Sequence, residues 1–377
     1  MKAASIRIAT ALLSAFYRLC RLLPAKKRIV MLSRQSDQAP VDFTLLAEWV
    51  AREHPNWRCV ILAKKLSNPL YAFHMLRQVY HIARARAVVL DSYCIVVSLL
   101  DTRISAPVLQ MWHALGNMKK FGYTALDTPG GHSSATAQLM HMHAGYDSIL
   151  CSSLSFVDDI RAGFAAPREK MHEAPLPRVD LLVDPDVRAA RRAEIYAAYP
   201  ELAGKKTIVY CPTFRRDEPD GEKAALQALV GAVDFTRYNL VFKKHPVSRL
   251  HIDDTRVLQD YDPTLDMLYA ADYAISDYST VIYEAGLLGV PVFLYAWDWE
   301  AYREKLELYI DIEHDVPTLF SGDAKAIMAA IEADDFDRGA FAAFTAKNVA
   351  VPVGTTCTER VGTHLFSMIE QGKCNPR

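Results

Sequence analysis

Four stretches of this chain carry side chains suited to binding or moving a phosphoryl group. In QMWHALGNMKKFGY (110–123), His113 is followed by Gly116, Asn117, Lys119 and Lys120. An imidazole with an ordinary pKa of about 6.5 can take a proton from a hydroxyl near neutral pH, and adjacent lysines can hold an anion beside it. In YCPTFRRD (210–217), Pro212 breaks a β-rich run, and Thr213, Arg215 and Arg216 offer a hydroxyl and two guanidinium groups to an anion. VFKKHP (241–246) runs from apolar residues straight into Lys243, Lys244 and His245, with Pro246 locking the exit. In ADYAISDYSTVIYEAGLLGVPVFLY (271–295), Ser276, Asp277, Ser279 and Thr280 lead into a helical pattern. Free backbone N–H groups at a helix start favour anions there, Ser276 and Asp277 can cap the helix, and Glu284 one turn in can reach a sugar hydroxyl. Each stretch alone has a bland reading: a surface histidine, a solvated basic turn, a polar strand end or a structural cap. Four anion-friendly stretches in one chain are harder to explain that way.

Other signals are weaker. His141 and His143 are two residues apart and would not share a helix face, so no metal site is expected there. Pro129-Gly130-Gly131-His132 lacks the G-x-x-x-x-G-K-[ST] pattern, and neither G-x-S-x-G nor H-E-x-x-H occurs. Arg178 and Asp180 in LPRVD read as buttresses of a domain junction. The seven cysteines are scattered without a C-x-x-C pair, which fits reduced thiols rather than a disulfide framework or a zinc ribbon.

The elements that must position these groups alternate between short β-branched runs and longer helical patterns. Strands are expected at 28–33, 58–63, 87–91, 108–112 and 147–151, with helices such as 42–53 and 71–85 between them. After the Pro-marked stretch at 175–187 the pattern restarts, with strands at 207–211, 239–243, 272–276 and 292–295 and helices at 224–232, 264–271 and 280–288. This βαβ alternation implies parallel sheets covered by helices on both faces. Two successive doubly wound domains are expected, at 28–185 and 186–377, the second including the C-terminal helices. In such folds ligands sit beyond the carboxyl ends of the strands, and two sheets facing a cleft would gather the four stretches.

Charge sets the N-terminus apart. The 377 residues carry a formal net charge of −1, with 43 basic and 44 acidic side chains and 51% hydrophobic residues, the composition of a folded globular chain. Residues 1–36 nevertheless hold eight Lys or Arg and no acid, against 35 basic and 44 acidic residues in 37–377. Segment 5–23 reads as a helix ended by Pro24, with Arg7, Ser14, Arg18 and Arg21 on one side and Ile6, Ala9, Leu13, Phe16 and Cys20 on another, widened by Ile8, Leu12, Leu19 and Leu23. Ten uncharged residues between Arg7 and Arg18 are too few to span a bilayer. Residues 1–27 are therefore expected to form a membrane-associating amphipathic helix and basic cluster that meets an anionic surface through residues 5–28. Packing on the protein's own core or on a partner, and a cleaved signal peptide, are the competing readings.

In order along the chain, WHALGNMKKFG (112–122), YDSILCSS (146–153), LPRVDLL (176–182), CPTFRRD (211–217), KKHP (243–246) and ISDYSTVIYEAGLLGVPVFLY (275–295) resemble the CDP-glycerol glycerophosphotransferase family, the teichoic acid primases and polymerases. The resemblance spans roughly residues 85–300. It implies an α/β, GT-B-like architecture of two doubly wound parallel-sheet domains, peripheral to the cytoplasmic face of the cell membrane. It also implies an enzyme in which an acceptor hydroxyl attacks the β-phosphorus of a CDP-polyol, CMP leaves and a polyol phosphate, most simply glycerol phosphate, is transferred. His113 matches the family's general base, although Ala114 stands where the family has Gly. Thr213, Arg215, Lys243, His245, Ser276, Asp277, Ser279 and Thr280 fall on its donor-binding motifs, with His245 binding the pyrophosphate or protonating it as CMP leaves. Gly116, Asn117, Lys119 and Glu284 complete the expected substrate-binding set.

No cofactor or structural metal is implied, with Mg²⁺ on the donor diphosphate admissible but not required. The implied acceptor is an undecaprenyl-diphosphate-linked saccharide, and no nucleic acid is expected. The length suggests one catalytic unit plus an anchor. The alternatives are a GT-B glycosyltransferase using a nucleotide sugar and a non-catalytic membrane-surface module of the same fold.

Overall fold

Two six-stranded sheets, each wholly parallel, form the frame of the chain. The computed structural model describes residues 2–215, 219–245, 248 and 250–372. Arg216 and Pro246, named above, lie outside them. The chain divides into two units, one of residues up to 115, 120–180 and from 350 on, the other of residues 116–119 and 181–349.

The first unit holds strands β1 Arg28–Ser33, β2 Arg58–Ala63, β3 Ala87–Leu90, β4 Val108–Gln110, β5 Ser148–Cys151 and β6 Met171–Glu173, in the order β2-β1-β3-β4-β5-β6. Residues 29–32 of β1 pair with strands on both sides and are essentially inaccessible to solvent. That is why they read as an unbroken apolar run rather than an alternating one. Because β2 and β3 lie on opposite sides of β1, the strand order reverses at β1/β3, the position where doubly wound sheets open to ligands.

The N-terminal helix, Lys2–Cys20, belongs to this unit rather than standing apart. Leu13, Tyr17 and Cys20 enter the same core as Val30, Val79, Ile82 and Val88, and the Tyr17 hydroxyl accepts from the Ser105 N–H at 3.1 Å. The apolar surface expected from sequence is thus split. One stripe is core, while Ile8, Leu12 and Leu19 stay exposed.

The C-terminal helix, Cys357–Gln371, also packs here and not in the second half of the chain where sequence order put it. The Asp180 carboxylate accepts from the N–H groups of Cys357 and Thr358 and from the Thr358 hydroxyl at 2.6–2.9 Å. Phe366 stacks on His54, with ring centroids 3.5 Å apart. Gly362 lies against Trp49, where an added Cβ would sit 2.3 Å from the indole. The expected limits of 28–185 and 186–377 therefore become a discontinuous division, set by these contacts between distant segments.

The second unit holds β7 Lys206–Cys211, β8 Tyr238–Phe242, β9 Val257–Leu258, β10 Tyr273–Ser276, β11 Val292–Tyr295 and β12 Phe320–Ser321, ordered β12-β11-β10-β7-β8-β9. Its reversal lies at β7/β10. The Asp272 carboxylate accepts from the Thr207 N–H at 2.8 Å and pairs with Arg192, fixing the register at the start of both central strands. The edge strands β6, β9 and β12, of two or three residues each, were not foreseen, being too short to leave a periodic signal. The helix expected at 264–271 is only one tight turn, Met267–Ala270.

Candidate active site

In the first unit, β4 stops at Gln110, earlier than the sequence suggested. Gln110 Oε1 accepts from the Trp112 N–H at 2.9 Å, and Trp112 takes a left-handed φ of 66°. That turn swings His113 beside the end of β3, where its Nδ1 lies 2.9 Å from the Asp91 carbonyl oxygen. A carbonyl oxygen only accepts, so Nδ1 carries the proton and Nε2 presents a free lone pair. Surrounding protein pushes the imidazole down to about 4, the Asp91 hydrogen bond opposing and the Arg178 and Arg34 charges adding to the drop. The ring is therefore neutral at working pH, and the residue remains exposed to solvent. Arg178 Nη2 donates to the His113 carbonyl at 2.8 Å and Nη1 to Asp42 at 2.7 Å, and the Arg178 N–H also bonds Asp42. The Arg of LPRVD thus holds the backbone of the histidine loop.

The segment after His113 belongs to the second unit. Gly116 has φ +60° and lies flat on Tyr283, where a Cβ would stand 2.3 Å from the ring. Asn117 is buried, and its carbonyl accepts from the Tyr283 hydroxyl. Met118 accepts from the Tyr309 N–H, and Lys119 bridges antiparallel to Leu308. The close approach at Gly116 is therefore to an aromatic ring. Lys119 is half-buried, its Nζ 3.4 Å from Thr213 Oγ1 and 5.6 Å from the centre of the Tyr302 ring. Burial lowers it to about 8, with Asp277 opposing and Arg215 adding to the drop.

Four neighbouring strands end on one edge of the second sheet and bring residues 213–215, 243–245, 277–280 and 296–298 together. Thr213 and Asp277 meet at the β7/β10 reversal, where both oxygens of the buried Asp277 carboxylate accept from the Thr213 N–H at 2.9 and 3.0 Å. Arg215 is buried, forked onto Asp298 through Nε and Nη2 and bonded to Asp277 at 2.9 Å and to the Thr213 carbonyl at 2.6 Å. Its charge also lies over the Tyr302, Tyr278 and Trp297 rings. The two carboxylates outweigh its burial and hold it charged well above its ordinary range. The guanidinium expected to meet substrate instead ties three strand ends together. Ser276 likewise turns inward, donating to the Cys211 carbonyl at 2.9 Å.

Beside this core lies a groove of about 520 Å³ walled by Lys243, Lys244, His245, Gln259, Tyr261 and Asp266. Lys243 bonds Asp266 at 2.8 Å. Burial opposes its charge, but Asp266, Cys211 and Glu284 together raise it. Lys244 pairs with Asp260 at 3.0 Å. The exposed His245 stacks on Phe214 with centroids 5.7 Å apart, and burial together with the Lys119 charge lowers its basicity. The helix Val281–Leu287 starts next to β10, and Ser279 Oγ accepts from the Val281 N–H at 3.4 Å. Ser279 and Thr280 remain partly exposed there.

Lys119, Thr213, Lys243, His245, Ser279, Thr280 and Glu284 are thus gathered in the second unit, with Arg215, Ser276 and Asp277 buried beneath them. Asp298, Asp266, Phe214 and Tyr302 were missed, and so was the Asp91 carbonyl. Their only sequence signal is that each lies near a strand end or in the stretch after one, and the strand order that makes them neighbours is not written locally. Among the described residues no group of three His, Cys, Asp or Glu is arranged to hold a metal ion.

Comparisons with known proteins bear on this arrangement. The chain is 29% identical to the teichoic acid ribitol-phosphate primase of Bacillus spizizenii over 95% of its length and 96% of the relative's. It is 26% identical to the teichoic acid glycerol-phosphate primase of the same organism over 69% and 70% of the two chains. A variant of the wall teichoic acid polymerase TagF soaked with CDPG superposes with a TM-score of 0.76 at 17% identity, covering 98% of both chains, which shows a shared GT-B-like fold. The model of the CDP-Glycerol:Poly(glycerophosphate) glycerophosphotransferase family matches residues 15–367, and the chain belongs to that family.

Proposed function

We propose that this protein transfers a polyol phosphate from a CDP-polyol to a hydroxyl of a membrane lipid-linked saccharide, releasing CMP, in the synthesis of teichoic acid or a related cell-surface polymer. The observation that carries this reading is the contact of His113 Nδ1 with the Asp91 carbonyl oxygen. With Nδ1–H on the Asp91 carbonyl, Nε2 can accept the proton of the attacking hydroxyl. The acceptor oxygen then forms a bond to the β-phosphorus, the bond from that phosphorus to the CMP oxygen breaks, and CMP leaves with the electron pair. Lys119 and Lys243 supply positive charge for the diphosphate, Thr213, Ser279 and Thr280 offer hydroxyls, and His245 steadies the leaving phosphate or gives it a proton. Glu284, close enough to Lys243 to raise its basicity, is read as the partner of a polyol hydroxyl. Catalysis of this kind rests on positioning and charge neutralisation. The reading needs no resident cofactor, and Mg²⁺ would enter as part of the donor complex.

The donor is read as CDP-glycerol, following the family description. CDP-ribitol is the second reading, supported by the ribitol-phosphate primase that matches over nearly its whole length. The acceptor is read as an undecaprenyl-diphosphate-linked saccharide at the cytoplasmic membrane face, reached through residues 5–28. No described helix is long and apolar enough to cross a membrane, so the association proposed is interfacial.

Mass spectrometry of products formed from CDP-glycerol, CDP-ribitol or a UDP-sugar with a lipid-linked acceptor tests the proposal. Polyol-phosphate adducts with CMP release are expected, and His113→Ala should slow them by about a hundred- to ten-thousand-fold. Sugar transfer with UDP release would replace this reading by a glycosyltransferase.

A further inference from the structure

Alongside the N-terminal helix the first unit has an open groove of about 830 Å³, lined by none of the residues assigned above to the transfer reaction. Arg7 and Arg18 line it from the helix, Arg103 and His141 from elsewhere in the unit, and among the described residues lining it there is no Asp or Glu. Arg7 and Arg18 are exposed, and neither pairs with a carboxylate among the described residues. Among the described residues Arg103 bonds through Nη1 alone, to the Leu99 and Leu100 carbonyls at 3.5 and 3.3 Å. The Thr10 and Ser14 hydroxyls on the groove wall bond back to Ile6 and Thr10 carbonyls at 2.9 and 2.7 Å, leaving the guanidinium groups, with Gln138 and His141, as the polar groups the wall offers a ligand. His141 takes a left-handed φ of 49° just after the helix Ser134–Leu139 and lines the groove.

Two features define what would fit. The first is length. Arg7 and Arg18 are separated by three helical turns, about 16 Å along the axis, with small Ala11 and Ala15 between them. Cations spaced this far apart do not both grip one diphosphate; they suit an extended headgroup whose diphosphate is held by a guanidinium fork and whose saccharide lies along the trough. The second is location. Ile8, Leu12 and Leu19 form the neighbouring stripe of the same helix and are 62–67% exposed, and Leu22 just beyond is 80% exposed. Phe73, 72% exposed, and Leu76 lie on the helix Tyr71–Ala83, which packs against the N-terminal helix. An apolar stripe beside a basic one is the pattern of a helix that lies at a water–hydrocarbon boundary.

We propose that this groove binds the diphosphate headgroup of a polyprenyl lipid, with the exposed leucines in the bilayer surface, and so captures the acceptor substrate by its headgroup. The inference rests on the lipid-linked acceptor of the proposed function.

The test is co-sedimentation of the full chain with two vesicle preparations matched in total negative charge. One is phosphatidylcholine containing a polyprenyl diphosphate, the other phosphatidylcholine containing phosphatidylglycerol. Arg7→Ala/Arg18→Ala is compared with Lys26→Ala/Lys27→Ala, a pair of equal charge change outside the groove. The groove variant should lose roughly tenfold or more in binding to diphosphate vesicles and no more than the control pair on phosphatidylglycerol. Equal losses by both variants on both vesicles would reduce the groove to general surface charge and overturn the proposal, as would undiminished diphosphate binding by the groove variant. All the substituted side chains are exposed, and an unchanged thermal transition verifies folding. Because no CDP-polyol is used, failure here leaves the transfer reaction standing, and failure of the transfer reaction leaves this result readable.

Discussion

His113 and Lys119 depart from their ordinary acidities in the same direction for the same reason, loss of water around the charged form. The consequences for activity are opposite. A base must be neutral, so function through His113 appears as pH rises through about 4. A phosphate-binding lysine must be charged, so function through Lys119 is lost as pH rises through about 8. The pH profile of kcat/KM for donor turnover should therefore be a broad plateau between those limits. Lys119→Arg should remove the alkaline limb, because a guanidinium stays charged, and a limb that persists in this variant would assign it to another group. Arg215 tests the opposite kind of residue. Its fork holds two buried carboxylates, so Arg215→Ala should destabilise the protein by about 3–5 kcal/mol in denaturant unfolding. Arg215→Lys should recover little of that, since an ammonium cannot replace a bidentate fork. A residue that only touched substrate would leave unfolding unchanged. The sequence reads Arg215 as a residue that meets a substrate anion. It could not show that the anions are Asp277 and Asp298, the latter 83 positions away.

At the scale of elements, strand ends and caps decide what reaches the site. Gly116 bends with positive φ onto Tyr283. Gly116→Ala should impair turnover more than stability, because strain of about 1–3 kcal/mol falls on the segment that carries Lys119. Comparing kcat with the thermal transition separates the two effects. The C-terminal helix depends on Asp180 for three hydrogen bonds. Asp180→Ala should cost about 1–3 kcal/mol and raise amide exchange in 357–362, as followed by mass spectrometry. Unchanged exchange there would mean that the packing of Phe366 and Trp49 alone holds the helix. Most central strands were legible within one or two residues because a buried parallel strand is an uninterrupted apolar run. β4 ended early because the Gln110 side chain takes the Trp112 N–H, a competition no periodicity reports.

At the scale of the whole molecule, the titrating histidines are unevenly placed. His81, His113 and His364 are lowered to about 4 and His143 to about 3, all by loss of solvent, and all lie in the first unit. Between their unfolded value, about 6.5, and these folded values, the unfolded chain binds protons that the folded unit does not. Stability is thus full above the unfolded value and falls as pH drops through that window. Asp91, raised to about 6 by burial, works in the opposite direction but is one group against four. Hydrogen exchange at descending pH should show the first unit opening before the second, and simultaneous opening would refute this account. By itself the sequence determined the parallel α/β class, the basic N-terminus and the stretches holding His113, Lys119, Thr213, Lys243 and His245, because these depend on local periodicity and on residue type. Only the tertiary structure decided which strands are neighbours, that Arg215 is bound inward, that the first and last helices share one unit, and that half of the N-terminal apolar surface is core. Those outcomes depend on contacts between residues far apart in the chain, where burial and pairing are settled by the partner and not by the local sequence.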